Sequence, residues 1–131
     1  VNNLFSFSKY SLERLVTCHN DLKKLFNEVI KRYDCIILEG HRSNKRQEEL
    51  FRQGKSKIKA GGNHNYFPSL AIDVIPYPIN WNDKKRFYHF VGYVKGISDS
   101  IDIHIRCGAD WDNDNDINDQ NFIDLPHFEL K

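Results

Sequence analysis

The sequence predicts an α+β protein. Two stretches carry apolar residues at helical spacing, near 11–33 and 83–100, and three short runs at 35–38, 70–75 and 101–107 are of strand type. At 131 residues the chain suffices for one modest core, and residues 1–131 are expected to form a single domain.

Taking the elements in order, Leu12, Leu15, Val16, His19, Leu22, Phe26, Val29, Ile30 and Tyr33 recur at three and four, with Ser8 or Ser11 available as the cap. His19 falls on the apolar face of that helix and is expected to be a hydrogen-bonded core residue rather than a ligand. Cys35-Ile-Ile-Leu38 is a strand-type run ending in Glu39-Gly40. Arg42 and Ser43 then occupy a strand-to-helix junction, with Ser43 as N-cap and Gln47 one turn in. An Arg at that junction is placed to reach a ligand, although a surface Arg on a turn would read the same. Residues 54–62 form a basic loop with a glycine pair, expected to be mobile; Lys55, Lys57 and Lys59 either attract an anionic substrate or only solubilise it.

The run 70–75 is a buried strand with Asp73 opposite its larger hydrophobes. An unpaired carboxylate there is costly, so Asp73 requires a metal or a hydrogen-bonded partner. Pro76-Tyr-Pro78 stops the strand, and Asn82 or Asp83 caps a second long helix with Phe87, Phe90, Val91, Val94 and Ile97 as its core stripe. Residues 101–107 alternate, with Ile103 and Ile105 on one side and His104 and Arg106 on the other.

The 19 basic and 18 acidic residues leave a net charge of +1, so neither nucleic acid nor membrane is expected as a partner. Cys18, Cys35 and Cys107 are odd in number and widely spaced, which suits buried free thiols in a reducing compartment. No apolar run is long enough for a membrane span or signal-peptide core. The chain is therefore expected to be made in the cytoplasm without an export signal of its own; separately, a monomer is expected. The lack of Met implies a removed initiator or a processed chain.

Two stretches carry ligand chemistry. His64 and Asp73 bracket the start of the strand at 70–75, and Asp124-Leu-Pro-His127-Phe-Glu129 supplies a second His. Two His and one Asp would make a three-ligand Zn²⁺ site with the fourth position left to water, the catalytic form. Spacing alone does not separate this from chance pairing among six His and eighteen acids.

Four separated segments resemble one family. Gly40-His-Arg42-Ser43 with Gln47, Asn63-His64, Leu70-Ala-Ile-Asp73 and Asp124-Leu-Pro-His127 are similar, in order, to the motifs of zinc-dependent peptidoglycan peptidases. That family comprises D-Ala-D-Ala carboxy- and dipeptidases and L-Ala-D-Glu endopeptidases, including phage endolysins. Departures are a spacing of nine between His64 and Asp73 where seven is usual, Pro68-Ser69 in place of Gly, His41 for Tyr and Gly62 for Ser. Cys107-Gly-Ala-Asp-Trp111 keeps part of the family's Trp-Gly-Gly-Asp-Trp.

The resemblance implies helices packed on one side of a small antiparallel sheet, a hedgehog/D-Ala-D-Ala-peptidase-like fold, with Zn²⁺ on His64, Asp73 and His127. Asp124 is implied as general base and then acid, and Arg42 as stabiliser of the oxyanion or binder of substrate. Ser43, Gln47 and Glu129 would touch substrate or support residues that do; Glu129 is either a rival base or the partner that orients a ligating His. The substrate implied is the peptide stem of bacterial cell wall, cut at L-Ala-D-Glu or at a D-Ala terminus. The alternative is a non-catalytic zinc- and calcium-binding interaction module, as in the hedgehog signalling domain of this fold.

The most acidic stretch, 110–119, has Asp110, Asp112 and Asp114 at the first, third and fifth positions of a Ca²⁺ loop, with Asp116 beside them. Asn115 stands at the tight turn and Asn121 where a bidentate Glu is expected. A solvated acidic loop is the competing reading.

Overall fold

The computed structural model describes residues 3–56 and 61–131. Lys57 and Lys59 of the expected basic loop lie outside the described residues. The elements are α1 (Lys9–Leu15), α2 (Asn20–Val29), β1 (Cys35–Glu39), α3 (Asn44–Arg52), a 3₁₀ turn (Asn63–Asn65), β2 (Ala71–Pro76), α4 (Lys84–Ser100), β3 (Ile105–Cys107) and β4 (His127–Leu130).

The four strands form one antiparallel sheet in the order β1-β2-β4-β3. Alternation along each strand sends Ile37, Ile72, Val74, Ile105, Cys107 and Phe128 into the core, where α2 and α4 supply Leu22, Phe26, Val29, Phe90 and Val94. Phe128 makes T-shaped contacts with both Phe26 and Phe90, at 5.5 and 6.2 Å between ring centres. The same alternation puts Asp73, His127, Glu129 and Arg106 on the opposite face: Asp73 pairs with His127 across β2 and β4, and Glu129 with Arg106 across β4 and β3. One face of the sheet therefore serves the core and the other a polar site.

The helix expected over 11–33 is two helices, broken at residues 16–19. The break is tertiary in origin. His19 N–H donates to the Ser69 carbonyl at 2.8 Å and Ser69 N–H to the Thr17 carbonyl at 2.8 Å, so the backbone here pairs with a distant segment instead of continuing the helix. Gly40 passes so close that a Cβ on it would lie 2.4 Å from Thr17 Oγ1 and 2.5 Å from the Arg14 carbonyl oxygen. The change of direction leaves Leu12 and Val16 exposed rather than in the core. His19 is likewise no core residue: it caps α2, its Nδ1 accepting from Asp21 N–H at 3.0 Å. Ser8, not Ser11, caps α1; the Ser11 hydroxyl instead accepts from Ile37 N–H at 3.1 Å, satisfying part of the β1 edge.

The later elements follow expectation more closely. Asp83 caps α4, and His89 on that helix meets the Tyr33 hydroxyl with its Nδ1 at 3.0 Å. The strand expected over 101–107 is confined to β3, because Asp102 turns out of α4 with φ 58°. All three cysteines are free and buried.

Candidate active site

His64, Asp73 and His127 arrive from three separate segments. His64 sits on the 3₁₀ turn, Asp73 in the middle of β2, and His127 at the start of β4. One ligand-capable atom from each lies within 4.8 Å of the others, so the three could hold a metal ion.

The ring orientations are set from outside the trio. His64 Nδ1 lies 2.7 Å from the Gly40 carbonyl oxygen, which can only accept, so Nδ1 carries the proton and Nε2 is left facing Asp73 Oδ1 at 3.2 Å. His127 is held the other way round. Its Nε2 meets Glu129 Oε1 at 2.7 Å, leaving Nδ1 facing the same Asp73 Oδ1 at 3.3 Å. With neutral rings, two nitrogen lone pairs converge on one carboxylate oxygen. That arrangement demands a proton or a cation between them, and two imidazoles with one carboxylate suit zinc.

The electrostatics agree. Burial alone would raise Asp73, but in the metal-free site the facing rings of His127 and His64, with a proton between them and the carboxylate, hold it well below the usual range. Burial would lower His127, and Asp73 with Glu129 instead push it up to about 9. Glu129 is held low against burial by His127 and Arg106, so it stays ionised as an orienting partner. Asp124 behaves differently: burial first, then the charge of Asp73, raises it, partly offset by His127, His64 and Arg42. A buried carboxyl with a raised pKa beside a metal-type trio suits proton transfer.

Asp124 is placed by Gly108. Asp124 N–H donates to the Gly108 carbonyl at 2.9 Å, Gly108 N–H to the His127 carbonyl at 2.8 Å, and His127 N–H to the Asp124 carbonyl at 3.1 Å. A Cβ on Gly108 would lie 2.0 Å from the Asp124 carbonyl oxygen, so only glycine permits the approach.

Arg42 is anchored more heavily than expected. Its Nε and Nη2 meet the two oxygens of Glu39 at 2.9 and 2.5 Å, Nη1 meets Gln47 Oε1 at 2.8 Å, and Nη2 lies 3.5 Å from Asp73 Oδ2. Gln47 is buried and donates onward to the Ser56 hydroxyl at 2.7 Å. Ser43 caps α3 through Arg46 N–H and is not among the residues that line the cleft.

The cleft has a volume of about 460 Å³, and its walls include Arg42, His64, Asp73, Asp124 and His127. They also include Glu39, Arg106 and Trp111, none of which sequence reasoning gave a role. Glu39 could have been suspected from its position three before Arg42; Arg106 carried no local signal beyond strand alternation. The Trp111 ring lies 5.2 Å from that of His127, and its indole N–H is buried without a hydrogen-bond partner among the described residues.

Beside the cleft, Asp110, Asp112, Asp114 and Asp119 gather ligand atoms within 4.8 Å. Asp119 thus takes the place expected for Asp116, whose carboxylate turns away to accept from Asn118 N–H at 2.9 Å. Asn115 has φ 67°, as its place at the tight turn predicted, and Asn113 has φ 57°. Asp110 is buried, accepting from Asn115 N–H at 2.7 Å and Asp114 N–H at 3.3 Å.

Residues 3–131 match the sequence model of the phage L-alanyl-D-glutamate peptidase family. The chain belongs to that family. The L-alanyl-D-glutamate peptidase of Escherichia phage T5 is 28% identical over 121 residues, covering 88% of each chain. The peptidoglycan L-alanyl-D-glutamate endopeptidase CwlK of Bacillus subtilis is 31% identical over 120 residues, covering 76% of this chain and 62% of CwlK. Among solved structures, the L-Ala D-Glu endopeptidase ChiX of Serratia marcescens superposes with a TM-score of 0.77 at 25% identity, over 95% of this chain and 89% of ChiX. The resemblance drawn from the four motifs is borne out, on its L-Ala-D-Glu side, and so is the α+β fold it implied. As a phage L-alanyl-D-glutamate peptidase family member, the chain falls with named peptidases rather than with a non-catalytic module.

Proposed function

We propose that this chain is a zinc-dependent endopeptidase that hydrolyses the L-Ala–D-Glu amide in the peptide stem of peptidoglycan. The observation that carries the reading is the convergence of His64 Nε2 and His127 Nδ1 on Asp73, with their other nitrogens pinned by Gly40 and Glu129. Family membership and the names of the relatives supply the bond.

His64, Asp73 and His127 would hold the zinc, which when bound supplies Lewis acidity and lowers the pKa of water to about 7. Asp124 takes the proton of the attacking water as the C–O bond forms at the L-Ala carbonyl. It returns that proton to the D-Glu nitrogen as the C–N bond breaks. Burial and the charge of Asp73 raise its carboxyl above the ordinary range, the direction that favours holding the proton between the two transfers. Arg42, fixed by Glu39 and Gln47, presents positive charge to the oxyanion that develops on the carbonyl, so little reorganisation is needed. Glu129 keeps the proton on His127 Nε2 and therefore keeps Nδ1 free to ligate.

The acidic cluster is proposed to take Ca²⁺ through Asp110, Asp112, Asp114 and Asp119. A cation there offsets the repulsion of four carboxylates and stiffens the loop that carries Trp111 into the cleft wall.

The test is digestion of purified peptidoglycan with mass spectrometry of the released ends, alongside elemental analysis of the protein. New L-Ala C-termini and D-Glu N-termini with one zinc per chain are expected. Release of terminal D-Ala alone would move the chain to carboxypeptidase chemistry.

A further inference from the structure

The L-Ala–D-Glu bond brings a second charge with it. Glutamate has two carboxyl groups and a linear stem consumes one, so the residue on the leaving side keeps a free carboxylate within a few bonds of the scissile nitrogen. A cleft that accepts this substrate must pair that charge or leave it in water.

We infer that Arg106 binds this free carboxylate and determines specificity for it. The inference rests on the endopeptidase reading above. Sheet order places Arg106 appropriately: Asp73 and His127 lie on the two inner strands, Arg42 follows the outer strand β1, and Arg106 lies on the opposite outer strand β3. Neighbouring strands are about 4.8 Å apart, so a group a few bonds from a carbonyl over the trio comes within reach of a side chain on β3.

Donor accounting separates the two arginines. All three Arg42 nitrogens are engaged, by Glu39, Gln47 and Asp73, and its side chain is 11% exposed. Arg106 spends only its Nε and Nη2, both on Glu129 Oε2, at 3.2 and 2.7 Å. The Nη1 end of the fork has no protein partner among the described residues, and the side chain is 42% exposed within the cleft. An arginine held by a carboxylate on one edge can take a second, bidentate, on its free end. The guanidinium is also backed by Trp111, 5.6 Å from its ring centre, so the fork is positioned before a ligand arrives.

The test uses product binding, which does not depend on turnover. Calorimetry compares γ-D-glutamyl-L-lysine, bearing a free α-carboxylate, with its α-amide, on the zinc-loaded parent, Arg106→Gln and Arg106→Lys. The parent is expected to bind the acid at least about tenfold more tightly than the amide, the scale of a charge-assisted pair. In Arg106→Gln that ratio should fall below about threefold through loss of acid binding alone, and Arg106→Lys should keep part of it. A parent ratio near one overturns the inference whatever the variants do. So does an unchanged ratio in Arg106→Gln, including the case in which both ligands weaken equally, which is the signature of a purely structural role through Glu129 and His127. Failure to cleave L-Ala-γ-D-Glu-L-Lys would instead count against the endopeptidase reading and leaves these binding outcomes readable.

Discussion

Replacing Glu129 by Gln separates ligand orientation from proton transfer. Glu129 accepts from two donors, His127 Nε2 at 2.7 Å through Oε1 and Arg106 through Oε2. A Gln side chain offers one oxygen and one NH₂, so it can satisfy only one of these donors and must turn its own N–H groups towards the other. At least one charge-assisted hydrogen bond is lost, about 1.5–3 kcal/mol. If the loss falls on His127, the Nε2 proton is no longer held and zinc affinity should drop about 10- to 100-fold. Competition with a chelator of known affinity measures that drop, and assays at saturating zinc then measure turnover. Glu129→Gln should recover most of its turnover when zinc is saturating. Asp124→Asn should keep parental zinc affinity and lose about 10²- to 10⁴-fold in kcat at any zinc concentration. The opposite pattern, with Asp124→Asn active and Glu129→Gln inactive at saturating zinc, would show that the base and the orienting partner have been interchanged.

Gly40→Ala should destabilise the protein by about 1–3 kcal/mol in urea unfolding, because its Cβ meets backbone and a short side chain at 2.4–2.5 Å, and it should weaken zinc binding through the displaced carbonyl on His64. Gly92→Ala, in α4 with nothing within 4 Å of the new Cβ, should instead stabilise by about 1 kcal/mol. In metal-free protein His127 is pushed up from 6.5 to about 9, so its protonated form stabilises the fold; that contribution is complete below pH 6.5 and should disappear as pH rises through about 9, lowering Tm over that window, whereas the zinc form should show no such loss. Calcium titrated at fixed zinc should raise Tm and activity in the parent and not in Asp112→Asn/Asp114→Asn; a flat response in the parent, with no heat of binding, would reduce the cluster to solvated surface.

What the sequence made legible was local. The α4 stripe and the Ser43 cap lie within a few turns of chain, and periodicity or capping chemistry reports them, whereas Arg42 and Gln47 were singled out by the family resemblance. The trio was legible as residue types in order, while its geometry depends on β4 inserting between β2 and β3, a pairing across more than fifty residues. Arg106 was invisible for that reason: only the β3–β4 register brings it to Glu129. The break between α1 and α2 was missed because its cause is Ser69, some fifty residues away, while the apolar spacing runs straight through it. Asp119 displaced Asp116 from the acidic cluster because a side chain–backbone hydrogen bond turned Asp116 aside, a competition that residue spacing does not encode.

The Gly108 junction has a bearing on how this enzyme can change. The chain leaves the site at Gly108 and returns to it at Asp124, and these two residues are hydrogen-bonded to each other. The intervening segment is thus an excursion whose ends are tied at its base, and the Asp124–His127 turn is fastened to the sheet by the same glycine. Doubling the length of such a loop costs only about 0.6 kcal/mol in closure entropy. Changes of length within the excursion are therefore cheap as long as this base stays tied, and the proton carrier and the second histidine can stay in register while the acidic segment between varies.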